Sequence, residues 1–213
     1  MTDNTTLNTG TGGDVVASDD ISGVKYQRVK LIEGADGVND GDISSANPLP
    51  VVTTCYPVTV QTDVTRPADT AVYAASDALS DSTSAPTSGG FTFTGAARIS
   101  GGSGIITDAC FTTSNDPATR MSGELWIFNT SVTNINDNAA FVVSDSEIKT
   151  CVAVIPFTFA DAGNNGFAQA SGLSIMFKCS GSANLRFLYR VRNAYTPANA
   201  EVITATLKIL QLD

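Results

Sequence analysis

Histidine is absent from all 213 residues, and that single gap removes several chemistries. A serine or cysteine nucleophile has no imidazole to take its proton, and a metal ion has no imidazole ligand. Cysteine is sparse: Cys55, Cys110, Cys151 and Cys179 stand far apart, with no C-x-x-C among them. Close-spaced zinc ligation is therefore not expected, and the thiols read as small buried hydrophobes. Spacing alone does not fix any disulfide pairing among them. No run approaches the ~20 apolar residues that cross a bilayer, so no membrane partner is expected. The opening MTDNTTLNTGTGG has neither the basic nor the apolar region of a secretory leader, which points to synthesis and folding in a cytoplasm.

Positive charge is also scarce, with 12 basic against 21 acidic side chains and a net charge of −9. Phosphate neutralisation needs a basic surface, so nucleic acid is not an expected partner. The sequence contains no P-loop and no G-x-S-x-G elbow, and Gly101-Gly102-Ser103-Gly104 reads as a turn between strands. Two carboxylates alone can hydrolyse a glycan, but nothing in the placement of Asp108, Asp116, Glu124 and Asp145 selects a pair. Counted from Asp36, a calcium loop would need an oxygen ligand where Val38 stands and a glutamate where Asn47 stands, so the EF-hand pattern fails there. No catalytic residue, cofactor or metal ligand is expected, and the chain reads as a non-enzyme.

What the sequence does hold is β-structure. Short β-prone runs recur at residues 51–65, 91–93, 97–100, 104–112, 123–129, 140–143, 151–159, 173–179, 185–192 and 202–212, separated by Gly, Asn, Asp, Ser and Pro. Residues 68–79 fit either a short helix or a strand, and Ser144-Asp145-Ser146-Glu147 opens one helical turn. In the last run Ile203, Ala205, Leu207, Ile209 and Gln211 share one face, nearly all apolar, which should meet the core. Around Trp126, Leu125 and Ile127 point one way and Glu124, Trp126 and Phe128 the other. A lone tryptophan beside these apolar residues fits packing better than a sugar platform. The fold expected is all-β: an antiparallel β-sandwich of jelly-roll type spanning 51–213, preceded by an extended N-terminal tail and arm over 1–50.

The arm is the most distinctive stretch. Residues 23–52 read GVKYQRVKLIEGADGVNDGDISSANPLPVV, with Lys25, Tyr26, Arg28 and Lys30 packed into six positions. Period-two alternation sets Tyr26, Arg28 and Lys30 on one face and Val29 and Leu31 on the other, which suits a segment lying on another surface. Pro48, Leu49 and Pro50 then favour polyproline II or an edge strand. Lys25, Tyr26, Arg28, Lys30, Leu31, Pro48, Leu49 and Pro50 are accordingly the expected partner-binding residues.

The arm's GVKYQRVKLIEGADG and NPLPV resemble the N-terminal segment of virion structural proteins of tailed bacteriophages. Three further stretches share the resemblance: Thr65-Arg66-Pro67-Ala68-Asp69-Thr70 with Tyr73-Ala74-Ala75, Asp137-Asn138-Ala139-Ala140-Phe141, and Ala194-Tyr195-Thr196-Pro197. The resemblance implies a particle component made in the host bacterial cytoplasm and located in the virion. The expected role is a capsid decoration, or cement, protein. Its partners would be the major capsid protein or another virion protein, together with sister copies in a homo-oligomer, a trimer being one form. The alternatives are a tail, neck or fibre-adaptor protein, or a receptor- or glycan-binding module.

Overall fold

The computed structural model describes residues 5–6, 15–16, 18–27 and 55–212. The chain divides into two units, Met1–Thr53 and Thr54–Asp213. In the first, β1 (Thr5–Thr6) pairs with β2 (Val15–Val16), and β3 (Ser18–Ile21) pairs with β4 (Val24–Gln27), both antiparallel. Ser22 and Gly23 link β3 to β4 with φ of 53° and 84°. Two consecutive positive φ values make the tight hairpin turn whose twist matches its strands. The sequence alone suggests one extended arm from residue 23 preceded by a tail over residues 1–22. The Ser-Gly turn instead folds Ser18–Ile21 back against Val24–Gln27.

The second unit carries β5 (Tyr56–Thr65), β6 (Ala78–Leu79), β7 (Phe91–Phe93), β8 (Ser103–Thr113), β9 (Ser122–Phe128), α1 (Asp145–Ile148), β10 (Cys151–Thr158), β11 (Ala160–Asp161), β12 (Gly166–Ala170), β13 (Ile175–Lys178), β14 (Leu185–Val191) and β15 (Val202–Gln211). They form two antiparallel sheets. β6 and β7 both pair with β14, and β12 and β13 both pair with β8, so each couple acts as one interrupted strand. Counted that way, one sheet runs first–eighth–third–sixth (β5, β15, β8, β12/β13). The other runs second–seventh–fourth–fifth (β6/β7, β14, β9, β10). That interleaving is the jelly roll, and it follows here from strand pairing alone.

Between the sheets lies a core rich in phenylalanine. Ile203, Ala205, Leu207 and Ile209 of β15 are at most 1% exposed, and the Gln211 amide at the end of that face donates to the Gly95 carbonyl at 2.8 Å. Phe111 stacks on Phe157 with centroids 4.2 Å apart, and Phe93 on Phe187 at 4.4 Å. A Cβ on Gly123 would come within 2.7 Å of the Phe157 ring, so only glycine admits that ring. In β8 the inward residues change parity, from Ile106 to Ala109 and Phe111. The register against β15 slips at the same place, with Lys208 opposite Asp108 but Ile209 opposite Ile106. The extra residue is a β-bulge that keeps both halves of a long strand facing the core. The break between β12 and β13 falls beside it, where Leu173 N–H donates to the Thr107 carbonyl at 2.8 Å.

Several expected elements take other forms. Residues 97–100 are turn and bend, with Ala97 N–H held by the Ala183 carbonyl at 2.9 Å. Residues 140–143 supply only a single bridge, Ala140 to Asp77. Residues 68–79 are not helical; they are a loop that ends in β6. The helical turn does form at α1, where Ser144 and Glu147 make a capping box. Trp126 packs on the outer side of its sheet. It lies 5.2 Å from the Phe141 ring in a second small cluster with Phe128, Val132 and Leu188. All four cysteines are free; Cys179 is buried, whereas Cys55 is exposed rather than buried as expected.

Candidate functional site

Of the residues expected to bind a partner, Lys25 and Tyr26 lie in β4, paired in register with Asp20 and Asp19. Tyr26 is 53% exposed. Arg28, Lys30, Leu31, Pro48, Leu49 and Pro50 lie outside the described residues.

Three stretches widely separated in sequence, Thr65–Ala75, Asp137–Phe141 and Ala194–Pro197, meet at one end of the sandwich. Arg66 follows β5 directly, and its N–H donates to the Glu201 carbonyl at 2.9 Å just before β15 begins. Its guanidinium reaches the Asp137 carboxylate at 3.0 Å, the Asp69 carboxylate at 3.3 Å, and the Asp69 and Ala198 carbonyls at 3.4 Å each. Its Nε donates to the Tyr73 hydroxyl. That hydroxyl donates to Asp137 at 2.5 Å, and Ser80 N–H donates to the same Asp137 oxygen at 2.8 Å. Tyr73 and Tyr195 exchange backbone hydrogen bonds of 2.9 and 3.3 Å, and their rings stack 6.1 Å apart.

Glu201 completes the network. It accepts from the hydroxyls of Tyr195 and Thr113 and from Ala198 N–H at 2.9 Å. Arg66, Tyr73, Asp137, Tyr195 and Glu201 are all buried. Burial drives the Tyr73 hydroxyl far above its ordinary pKa, and the Asp137 carboxylate adds to the rise. Burial does the same to Tyr195, with help from Glu201. Both phenols therefore stay protonated and act as donors. Burial works against the Arg66 charge, but the oxygens of Tyr73 and Asp137 outweigh it and raise its pKa. What this arrangement does is fasten: it ties the loops after β5, before β15 and around residue 137 to one another.

Of the four candidate carboxylates for glycan chemistry, Asp116 and Glu124 meet arginines. Asp116 lies 2.8 Å from Arg120, and Glu124 takes Trp126 Nε1 at 3.0 Å, Arg190 at 3.5 Å and Arg192. An open cleft of about 480 Å³ is lined by Pro86, Ser88, Ser131, Thr133, Asn134 and Glu147 among others. The Glu147 carboxylate there is already engaged, by Thr133 N–H at 2.6 Å and the Ser144 hydroxyl at 2.6 Å. The Ser144 hydroxyl and the Thr133 amide hold its pKa down to about 2.

In the sequence, Arg66, Tyr73, Asp137 and Tyr195 stand in separate short strings with nothing to mark a joint role. Glu201 lies outside all of those strings. A charged Asp or Arg inside a β-prone chain was the available signal, because such groups are buried only when paired.

No family model matches the chain, and no curated protein matches it either. Among solved structures the chain is similar to chains from the native virion of Kashmir bee virus at neutral pH and at acidic pH. Each is 13% identical, with 99% of this chain and 94% of the other covered and a TM-score of 0.31. A likeness at that score carries nothing further, so the jelly-roll assignment stands on the strand order.

Proposed function

We propose that this chain is a non-enzymatic structural component of a tailed-phage particle, a capsid decoration protein that stabilises the head by bridging capsid subunits. The observation that carries this reading is the convergence of its phage-like stretches. R-P-A-D-T with its tyrosine, D-N-A-A-F and A-Y-T-P supply Arg66, Asp69, Tyr73, Asp137 and Tyr195 to one buried network. The remaining stretch, the arm, takes the docking role through Lys25, Tyr26, Arg28, Lys30, Leu31, Pro48, Leu49 and Pro50, against the major capsid protein or another virion protein. Ordering some thirty residues costs on the order of 1 kcal/mol each, which contacts with neighbours must offset. A lattice of sister copies amplifies modest individual affinity.

Density for the chain in electron microscopy of intact particles, with its copy number, tests the proposal. Hundreds of copies on the head support it. A handful at the tail or neck replaces decoration with the adaptor reading, and absence from purified particles removes the virion role.

A further inference from the structure

β5 is the edge of its sheet, and it differs from the other three edges. β6 and β7 are two and three residues long. β10 carries Pro156 inside the strand and an irregular register at Cys151. The edge formed by β12 and β13 is broken in two, partly covered by β11, and ends on Lys178. Short length, internal proline, irregular register and lysine are the ways sheets blunt an edge against pairing.

β5 has ten residues in unbroken register with β15. Its single proline is the second residue, and its one charged residue, Asp63, accepts from the Thr204 hydroxyl of its own sheet at 2.7 Å. The parity of its hydrogen bonds is also fixed. Because Arg66 N–H donates to the Glu201 carbonyl, the even-numbered residues bond to β15 and the odd-numbered ones face outward. The N–H groups of Thr59, Gln61, Asp63 and Thr65 thus form a row with no backbone partner among the described residues. The missing N–H of Pro57 falls on that same outer edge, where it costs the ladder nothing.

We propose that this edge pairs antiparallel with β5 of a second copy of this chain, about a twofold axis at Gln61. That register overlaps residues 57–65 completely and forms about eight main-chain hydrogen bonds. It sets Asp63 opposite Thr59 of the second copy, whereas an axis at Asp63 would oppose two carboxylates. On the inner face, Val58 and Val60 meet Val64 and Thr62 of the second copy, joining two cores through one continuous sheet. An isologous pair of this kind is the commonest closed assembly. The inference does not depend on the particle role.

Sedimentation equilibrium of the full chain from about 1 to 100 μM tests it. The expected result is a reversible species of twice the 22.1 kDa chain mass. Gln61→Pro removes an outward N–H while sparing the even-numbered bonds to β15, and should raise the dissociation constant at least about tenfold. With Cys55→Ala as background, Gln61→Cys should cross-link two chains on oxidation, since the paired Cα atoms would lie about 5.5 Å apart. Thr59→Cys, about four residues out of register with itself, should not cross-link. A chain that stays monomeric, an association that Gln61→Pro leaves unchanged, or equal cross-linking by both cysteines overturns the proposal. Should Gln61→Pro fail to fold, the two exposed cysteine variants decide alone.

Discussion

Removing the Asp137 carboxylate is the sharpest test of how the end of the sandwich is held. Asp137→Ala takes one acceptor away from three donors at once: Arg66 Nη2 at 3.0 Å, the Tyr73 hydroxyl at 2.5 Å and Ser80 N–H at 2.8 Å. The Arg66 side chain is 0% exposed and that of Asp137 is 1%, so water cannot take over without opening the loops. Asp69, its carboxylate 3.3 Å from the guanidinium and its side chain 36% exposed, supplies only partial compensation. Breaking a buried pair by deleting one partner costs about 3–5 kcal/mol, and the orphaned phenol and amide fall within the same figure. Against a total stability of about 5–15 kcal/mol this is a large fraction. Urea unfolding should show a lower midpoint with an unchanged slope, and Tm should fall by about 6–20 °C. Asp145→Ala, at an exposed acid in the first turn of α1, should stay within about 0.5 kcal/mol and serves as the control. A loss below about 1 kcal/mol for Asp137→Ala would refute the view that this network fastens the loops.

Three more outcomes are expected. The Tyr189 hydroxyl is buried without a hydrogen-bond partner among the described residues, so Tyr189→Phe should raise stability by up to about 1–3 kcal/mol in the same urea assay; a clear loss would reveal a partner for that hydroxyl. Leu207, 0% exposed between Val60 and Ala109 in register, should cost about 2–5 kcal/mol on truncation to alanine; a loss below about 0.5 kcal/mol would put that face of β15 outside the core. The Glu147 carboxyl titrates below its ordinary value, at about 2. Its contribution to the α1 cap is therefore complete above about 4.5 and lost as pH falls through about 2. The Thr133 amide resonance should follow that lower midpoint, and Ser144→Ala should move it upward; a midpoint already near 4.5 in the unaltered chain would contradict the capping box.

Much of the fold was legible because alternation is a local signal. β15 shows why: four inward aliphatics alternating with Thr and Lys leave one orientation for the strand, and its neighbours must then cover both of its edges. Where a segment's role depends on what lies beside it, the sequence was silent. Residues 97–100 hold one β-prone side chain, Ile99, but are turned by the bonds of Ala97 N–H to the Ala183 carbonyl and of Gly101 N–H to the Ser182 carbonyl. Residues 166–170, GFAQA, carry little β-propensity, yet they form β12 because β8 offers a ladder beside them. The bulge at residue 107 changes which side chains face inward, so a strict period of two misjudges half of β8. At the candidate site the strings were visible while their meeting was not, since strand order sets which loops share an end.

The choice of charged groups at that end follows from what the loops need. A jelly roll closes its sheets with connections whose backbone groups cannot all join a ladder, and an apolar filling would leave them bare. Here the side chains serve those groups directly. Asp137 takes Ser80 N–H, Glu201 takes Ala198 N–H, and the Arg66 guanidinium donates to the carbonyls of Asp69 and Ala198. Replacing a buried ion pair with apolar residues of similar size is often neutral when the charges satisfy only each other. In this network each charge also completes a loop's backbone, so an apolar substitute would exchange one desolvation cost for several. The buried Arg66–Asp137 pair is thus better understood as the loops' missing hydrogen-bond partners than as a salt bridge adding stability by attraction alone. That explains why its members come from segments far apart in the chain: each loop contributes the group that another one lacks.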